Sequence, residues 1–101
     1  MKNFTTFNLA VEFYRLTQTL QLEAHLREQL LRASSSIALN LAEGRGKSGI
    51  KDQARFFQIA FGSLRECQAI LDLSVTPNSE LIQKADFLAA NIFKLIKAKR
   101  G

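Results

Sequence analysis

Apolar residues recur at intervals of three and four along almost the whole chain, and no stretch shows the alternation that a strand would need. Four amphipathic helices follow from this spacing. The first, about residues 5–21, places Leu9, Phe13, Leu16 and Leu20 on one stripe, with Phe7, Ala10 and Tyr14 beside it. The second, about 24–43, uses Leu26, Leu30, Ala33, Ile37 and Leu41. The third, about 49–74, uses Phe56, Ala60, Ser63, Cys67, Ile70 and Leu71, and the fourth, about 77–98, uses Leu81, Ala85, Leu88, Ile92 and Leu95. Gly44 reads as the C-cap of the second helix and Ser48 as the N-cap of the third, although Lys51 stands where a capping box would have Glu. Thr76-Pro77 reads as a cap followed by proline in the first turn, with Glu80 near the positive end of the fourth helix. The link from Thr19 to Ala24 has neither Gly nor Pro, so the spacing alone allows the first two helices to merge in part. Short connections between helices of similar length favour antiparallel neighbours. The expected fold is therefore all-α, a single up-down-up-down four-helix bundle over 1–101 with a short basic C-terminal tail.

Composition narrows the chemistry. At 101 residues and 47% hydrophobic, the chain can build one core without disulfides or metal. The lone cysteine, Cys67, reads as a core thiol, and the lone histidine, His25, forms no metal-ligand spacing. No run approaches the ~20 apolar residues that cross a bilayer, and nothing reads as a leader, so a cytoplasmic protein without membrane association or cofactor is expected. The net charge of +5 comes from fourteen Lys and Arg against nine Asp and Glu, and it is unevenly placed. Residues 1–43 balance, and 66–93 carry four acids against Lys84. The excess lies at Arg45, Lys47, Lys51, Arg55 and Arg65, opposed only by Asp52, and at the C-terminus with Lys94, Lys97, Lys99 and Arg100. Two basic concentrations in a small domain suggest a polyanion such as RNA or DNA, because each neutralised phosphate releases counterions. Basic residues also favour helix C-termini through the macrodipole, which offers a purely structural account of the tail.

Gly44-Arg45-Gly46-Lys47-Ser48-Gly49 spells a dinucleotide fingerprint, yet no strand precedes it and no parallel unit follows. A phosphate-binding loop ending at Gly46-Lys47-Ser48 would need glycine where Leu41 stands. The joint is read instead as a turn between helices with basic residues around a helix N-terminus. Ser36, Asn40 and Glu43 share one side of the second helix, and Arg55, Gly62 and Glu66 one side of the third. This suggests a polar seam in which Asn40 or Glu43 could satisfy Arg55, Ser63 or the amides at the start of the third helix. Its candidate members are Ser36, Asn40, Glu43, Ser63 and Glu66. Glu43 and Glu66 have no nucleophile or second histidine to complete an acid–base site, so no catalytic role is expected. Leu39, Phe61 and Phe87 lie off the main stripes of three helices, and Gly62 sits one heptad from Ala69, where another backbone could approach. These residues are the candidate surface for self-association.

Asn40-Leu41-Ala42-Glu43-Gly44, Ser48, Arg55-Phe56 and Gly62-Ser63-Leu64-Arg65-Glu66 together resemble the pattern of the four-helix bundle proteins encoded by intervening sequences in bacterial large-subunit ribosomal RNA genes. That family includes the accessory variability determinant of diversity-generating retroelements. The likeness in architecture covers nearly the whole chain, and its identifying residues lie in the second and third helices. Ala38 stands where many relatives have proline, and the first link is shorter than usual. The resemblance implies a ring-like homopentamer and, for the retroelement branch, binding to nucleic acid and to a reverse transcriptase. It implies no catalytic site. Two readings follow: a homo-oligomeric nucleic-acid-binding accessory protein, or a protein assembly scaffold whose charge is incidental.

Overall fold

The computed structural model describes residues 4–76 and 78–100, without the side chains of residues 99 and 100. Four helices make up the fold: α1 (Thr5–Thr17), α2 (Ala24–Arg45), α3 (Ile50–Leu73) and α4 (Ser79–Arg100). Neighbours α1–α2, α2–α3, α3–α4 and α4–α1 approach closely and the diagonal pairs do not, so the helices stand at the corners of a square. The rod measures 41 × 22 × 19 Å. Its antiparallel register is explicit between α3 and α4: Gln68 meets Asp86 and Phe61 meets Phe93, so seven residues back along α3 match seven forward along α4.

The inward stripes form one core. Ala10 and Phe13 come from α1, Leu30, Ala33, Ile37 and Leu41 from α2, and Leu81, Ala85, Leu88 and Ile92 from α4. On α3, Ala60, Cys67, Ile70 and Leu71 are buried as expected, but Phe57 and Leu64 take the places expected for Phe56 and Ser63, which lie on the side of α3 that meets α2. Leu95 is half-buried and Ile96 takes the last core position of α4.

Helix ends also depart from expectation. α1 stops at Thr17 rather than residue 21. Thr17 Oγ1 donates to the Tyr14 carbonyl at 2.6 Å and Thr19 Oγ1 to that of Leu16 at 2.8 Å. The Arg27 guanidinium reaches back from α2 to the carbonyls of Leu20 (2.9 Å) and Gln18 (3.3 Å). Carbonyls around the end of α1 thus find donors without glycine or proline. Leu20 leaves the helix yet stays buried. α2 continues to Arg45 with Gly46 as its C-cap, so Gly44 lies inside the helix, and α3 is capped by Gly49, not Ser48. Asn78 caps α4 by accepting the Leu81 N–H at 2.9 Å, where Thr76 was expected; Pro77 lies outside the described residues.

Gly44 is set by close approach. Its φ is ordinary, as no described glycine has positive φ, but a Cβ there would lie 2.7 Å from Phe57 Cε1 and 3.1 Å from Phe56 Cβ. Alanine at a helix interior normally gains about 1 kcal/mol over glycine. Here the buried Phe57 ring cannot withdraw, and overpacking of this kind costs about 1–3 kcal/mol. Gly44→Ala is therefore expected to lower the midpoint of thermal unfolding, while Gly46→Ala, whose Cβ would have 3.6 Å to its nearest neighbour, leaves it nearly unchanged.

Cys67 is fully buried, and burial, reinforced by the Glu66 charge, pushes its thiol up to about 12. The unfolded thiol ionises near 9. The folded state thus holds a proton that the unfolded state releases, and this contribution to stability is complete below pH 9 and falls as pH rises towards 12. Denaturant titrations between pH 8 and 11 are expected to show a shallower alkaline loss of stability in Cys67→Ala than in the parent.

Candidate nucleic-acid interface

The α2–α3 joint is short and internally bonded. Gly46 N–H donates to the Ala42 and Glu43 carbonyls, Lys47 N–H donates to that of Gly44, and Gln53 Nε2 reaches back to the Lys47 carbonyl at 2.9 Å. Gly49 supplies no side-chain cap to the first turn of α3. The joint therefore holds a fixed path while presenting its cations outward. Arg45 lies over the Phe4 ring at 4.7 Å. Lys47 and Arg55 lie 5.3 and 5.1 Å from the centroid of the Phe56 ring. Such contacts are worth about 0.5–1 kcal/mol each at exposed sites, enough to bias where a long side chain rests. Lys47 Nζ also meets Glu43 Oε2 at 3.2 Å, and Lys51 is exposed in the first turn of α3.

Antiparallel packing adds α4 to this end. Because Phe61 stands beside Phe93, residues that precede 61 in α3 and follow 93 in α4 share one end of the bundle. Lys94 and Lys97, both exposed, thereby join Arg45, Lys47, Lys51 and Arg55. These six cations have Glu43 and Asp52 as the acids beside them, whereas the rest of the bundle carries seven acids against five described basic residues. Charge is sorted along the rod. Arg65 does not belong to the basic end. It lies one turn beyond Phe61 toward the other end, where it donates to Gln68 Oε1 at 3.1 Å, and Gln68 in turn donates to Asp86.

The polar seam is narrower than its sequence suggested. Ser36 and Ser63 hydroxyls pair across α2 and α3 at 2.9 Å, and Asn40 Nδ2 donates to the Ser36 carbonyl and hydroxyl. Glu43 instead faces Lys47, Arg55 lies on Phe56, and exposed Glu66 borders a shallow cleft with Ser36, Ser63, Gln29 and Arg32. Among the described residues no three His, Cys, Asp or Glu side chains converge as metal ligands would, and no helix is long and apolar enough to cross a membrane.

The exposed apolar side chains are spread over the surface and include Ile50, Leu73, Val75 and Phe93. Leu39, 67% exposed, lies on the face of α2 opposite its buried stripe, Ile59, 44% exposed, lies on α3, and a Cβ on Gly62 would meet open space. Phe87, 61% exposed, borders a cleft with Leu9 on the α1–α4 flank, beside the Lys84–Glu12 ion pair. Phe61 is half-buried against the core and Phe93, so it belongs mainly to the fold. Sequence reasoning missed Ile59, although it falls one helical turn from Ser63 on the side facing α2. It also missed Phe4 and Phe56 as seats for cations, and only the adjacency Arg55-Phe56 hinted at the latter.

No curated protein matches the chain. A family model described as the 23S rRNA-intervening sequence protein matches residues 5–97, from the start of α1 almost to the end of α4. With α1 to α3 and nearly all of α4 inside the match, the chain belongs to the 23S rRNA-intervening sequence protein family.

Proposed function

We propose that this chain is a cytoplasmic, non-enzymatic protein that binds nucleic acid through the basic end of its bundle and does so as a homo-oligomer. The observation that carries this reading is the meeting of Arg45, Lys47, Lys51 and Arg55 with Lys94 and Lys97 at one end, from segments some forty residues apart in the chain. Cations at the C-terminal ends of α2 and α4 are favoured by the helix macrodipole, so helix stability alone accounts for them. Lys51 is different. It stands in the first turn of α3, where a positive charge is disfavoured, by about 0.3–1 kcal/mol. A residue that works against its own helix is better explained by a ligand. The surrounding charge suits phosphate and supplies no device for reading base edges, so weak sequence preference and strong salt dependence follow.

Self-association is supported by the large apolar side chains left exposed on α2, α3 and α4. A closed ring is built from heterologous contacts, in which one patch meets a different patch on the next copy. Leu39 and Ile59 on α2 and α3, and Phe87 beside Leu9 on α4 and α1, offer different patches for such a contact. The family resemblance supplies five as the number. A ring would repeat the basic end and raise avidity without enlarging any single site. The buried Cys67 is not open to a substrate as a nucleophile, in keeping with a binding protein.

Fluorescence anisotropy with a short RNA duplex, repeated across salt concentrations, tests the binding. Replacing Arg45, Lys47 and Lys51 with Ala is expected to weaken affinity for RNA and DNA alike and to lower the slope of log affinity against log salt by about one for each phosphate-binding cation removed. Arg15→Ala, away from the basic end, should change neither. A parent protein that binds no nucleic acid at low salt would leave the scaffold reading in its place. Light scattering is expected to show an oligomer at micromolar concentration, and Leu39→Glu to dissociate it while helicity is kept, since it would bury a charge without a partner. A monomeric parent would overturn the ring.

A further inference from the structure

We infer that Phe56 is the positioning residue of a subsite for one backbone phosphate, formed by Lys47 and Arg55, and that Glu43 is the built-in anion the phosphate displaces. The inference rests on the reading of the basic end as a nucleic-acid site. Two long cationic side chains, one from the joint and one from α3, converge on a single ring at 5.3 and 5.1 Å. The ring face attracts each of them, and the backbone holds the ring, because Phe56 Cβ lies against the glycine face of α2 at Gly44. The two cations are not equally engaged: Lys47 pairs with Glu43 at 3.2 Å, while no ion pair forms at Arg55 among the described residues. The Glu43 and Lys47 side chains are 55% and 37% exposed, and an ion pair this open to water is weak and exchangeable.

A phosphodiester carries one negative charge and two free oxygens. It can take the place of the Glu43 carboxylate at Lys47 and offer its second oxygen to Arg55, whose fork of donors suits phosphate. Because the ring already restrains each cation, less side-chain ordering remains to be imposed by the ligand. Phe56 thus acts on affinity without adding charge, and Glu43 acts against it.

This separation defines the experiment, using a short RNA duplex, anisotropy and a range of salt. Phe56→Leu is expected to bind about fivefold more weakly. Its salt slope should stay at the parent value, because the number of cations meeting phosphate is unchanged. Phe56→Trp, which keeps a ring, should recover most of the affinity. Glu43→Gln is expected to tighten binding about threefold, and by more than Asp52→Asn, which removes the other acid of the basic end. The inference is overturned if Phe56→Leu matches the parent, if it lowers the salt slope as removal of a cation does, or if Glu43→Gln tightens binding no more than Asp52→Asn. Circular dichroism checks folding, and if Phe56→Leu is unfolded, the comparison of Glu43→Gln with Asp52→Asn decides alone. Failure of the parent itself to bind would instead remove the wider reading of the basic end.

Discussion

The close approach of α2 to α3 at Gly44 sets the geometry of the end on which the functional reading depends. With no side chain at that position, the Phe57 ring lies against the backbone of α2, and Phe56 lies at its edge. The chain can then reverse within the few residues between Arg45 and Ile50, closed by the Gln53 bond to the Lys47 carbonyl. A larger residue at 44 would push the start of α3 outward and separate Lys47 from the ring that now seats it. The packing of one glycine thus links the core, through Phe57, to the surface, through Phe56 and its two cations.

Antiparallel packing turns a mild bias in the sequence into a directional field. A net charge of +5 spread over a surface would do little at physiological ionic strength, where the Debye length is about 8 Å. Gathered at one end of a rod 41 Å long, the same charges act together on a polyanion, while acids predominate over the rest. Leu39, Ile59 and Phe87 lie part-way along their helices, away from the basic end. Lateral association and end-on binding, as proposed, would use separate surfaces, and one would not exclude the other.

Much of the fold was legible because helical periodicity is a local signal. The α2 stripe from Leu30 to Leu41 and the α4 stripe from Leu81 to Ile92 are buried as the spacing predicts. What failed depended on distant groups. The end of α1 is made partly by Arg27 from the next helix, and two of the six expected core positions of α3 pass to Phe57 and Leu64 because Phe56 and Ser63 meet α2 instead. Gly44 looks like a cap because glycine is usual there, and only the position of Phe57 shows that space is the reason. At the candidate site, the joint was legible since Arg45, Lys47, Lys51 and Arg55 are near one another in sequence. Arg65 falls into the same group by sequence alone, although it faces Gln68 instead. Phe56 could not be told from a core residue by spacing, since the pattern does not distinguish a ring that fills the interior from one that seats cations.

The central claim is that charge sorting makes one end of the bundle the binding end. Backbone amide shifts in the isotope-labelled protein, followed as a short RNA duplex is added at low salt, test this directly without altering any residue. The account predicts perturbations confined to residues 4–8, 43–55 and 91–98, with residues 20–28 and 71–76 unchanged. Perturbations centred on that opposite end, or around Leu39 and Ile59, would contradict it.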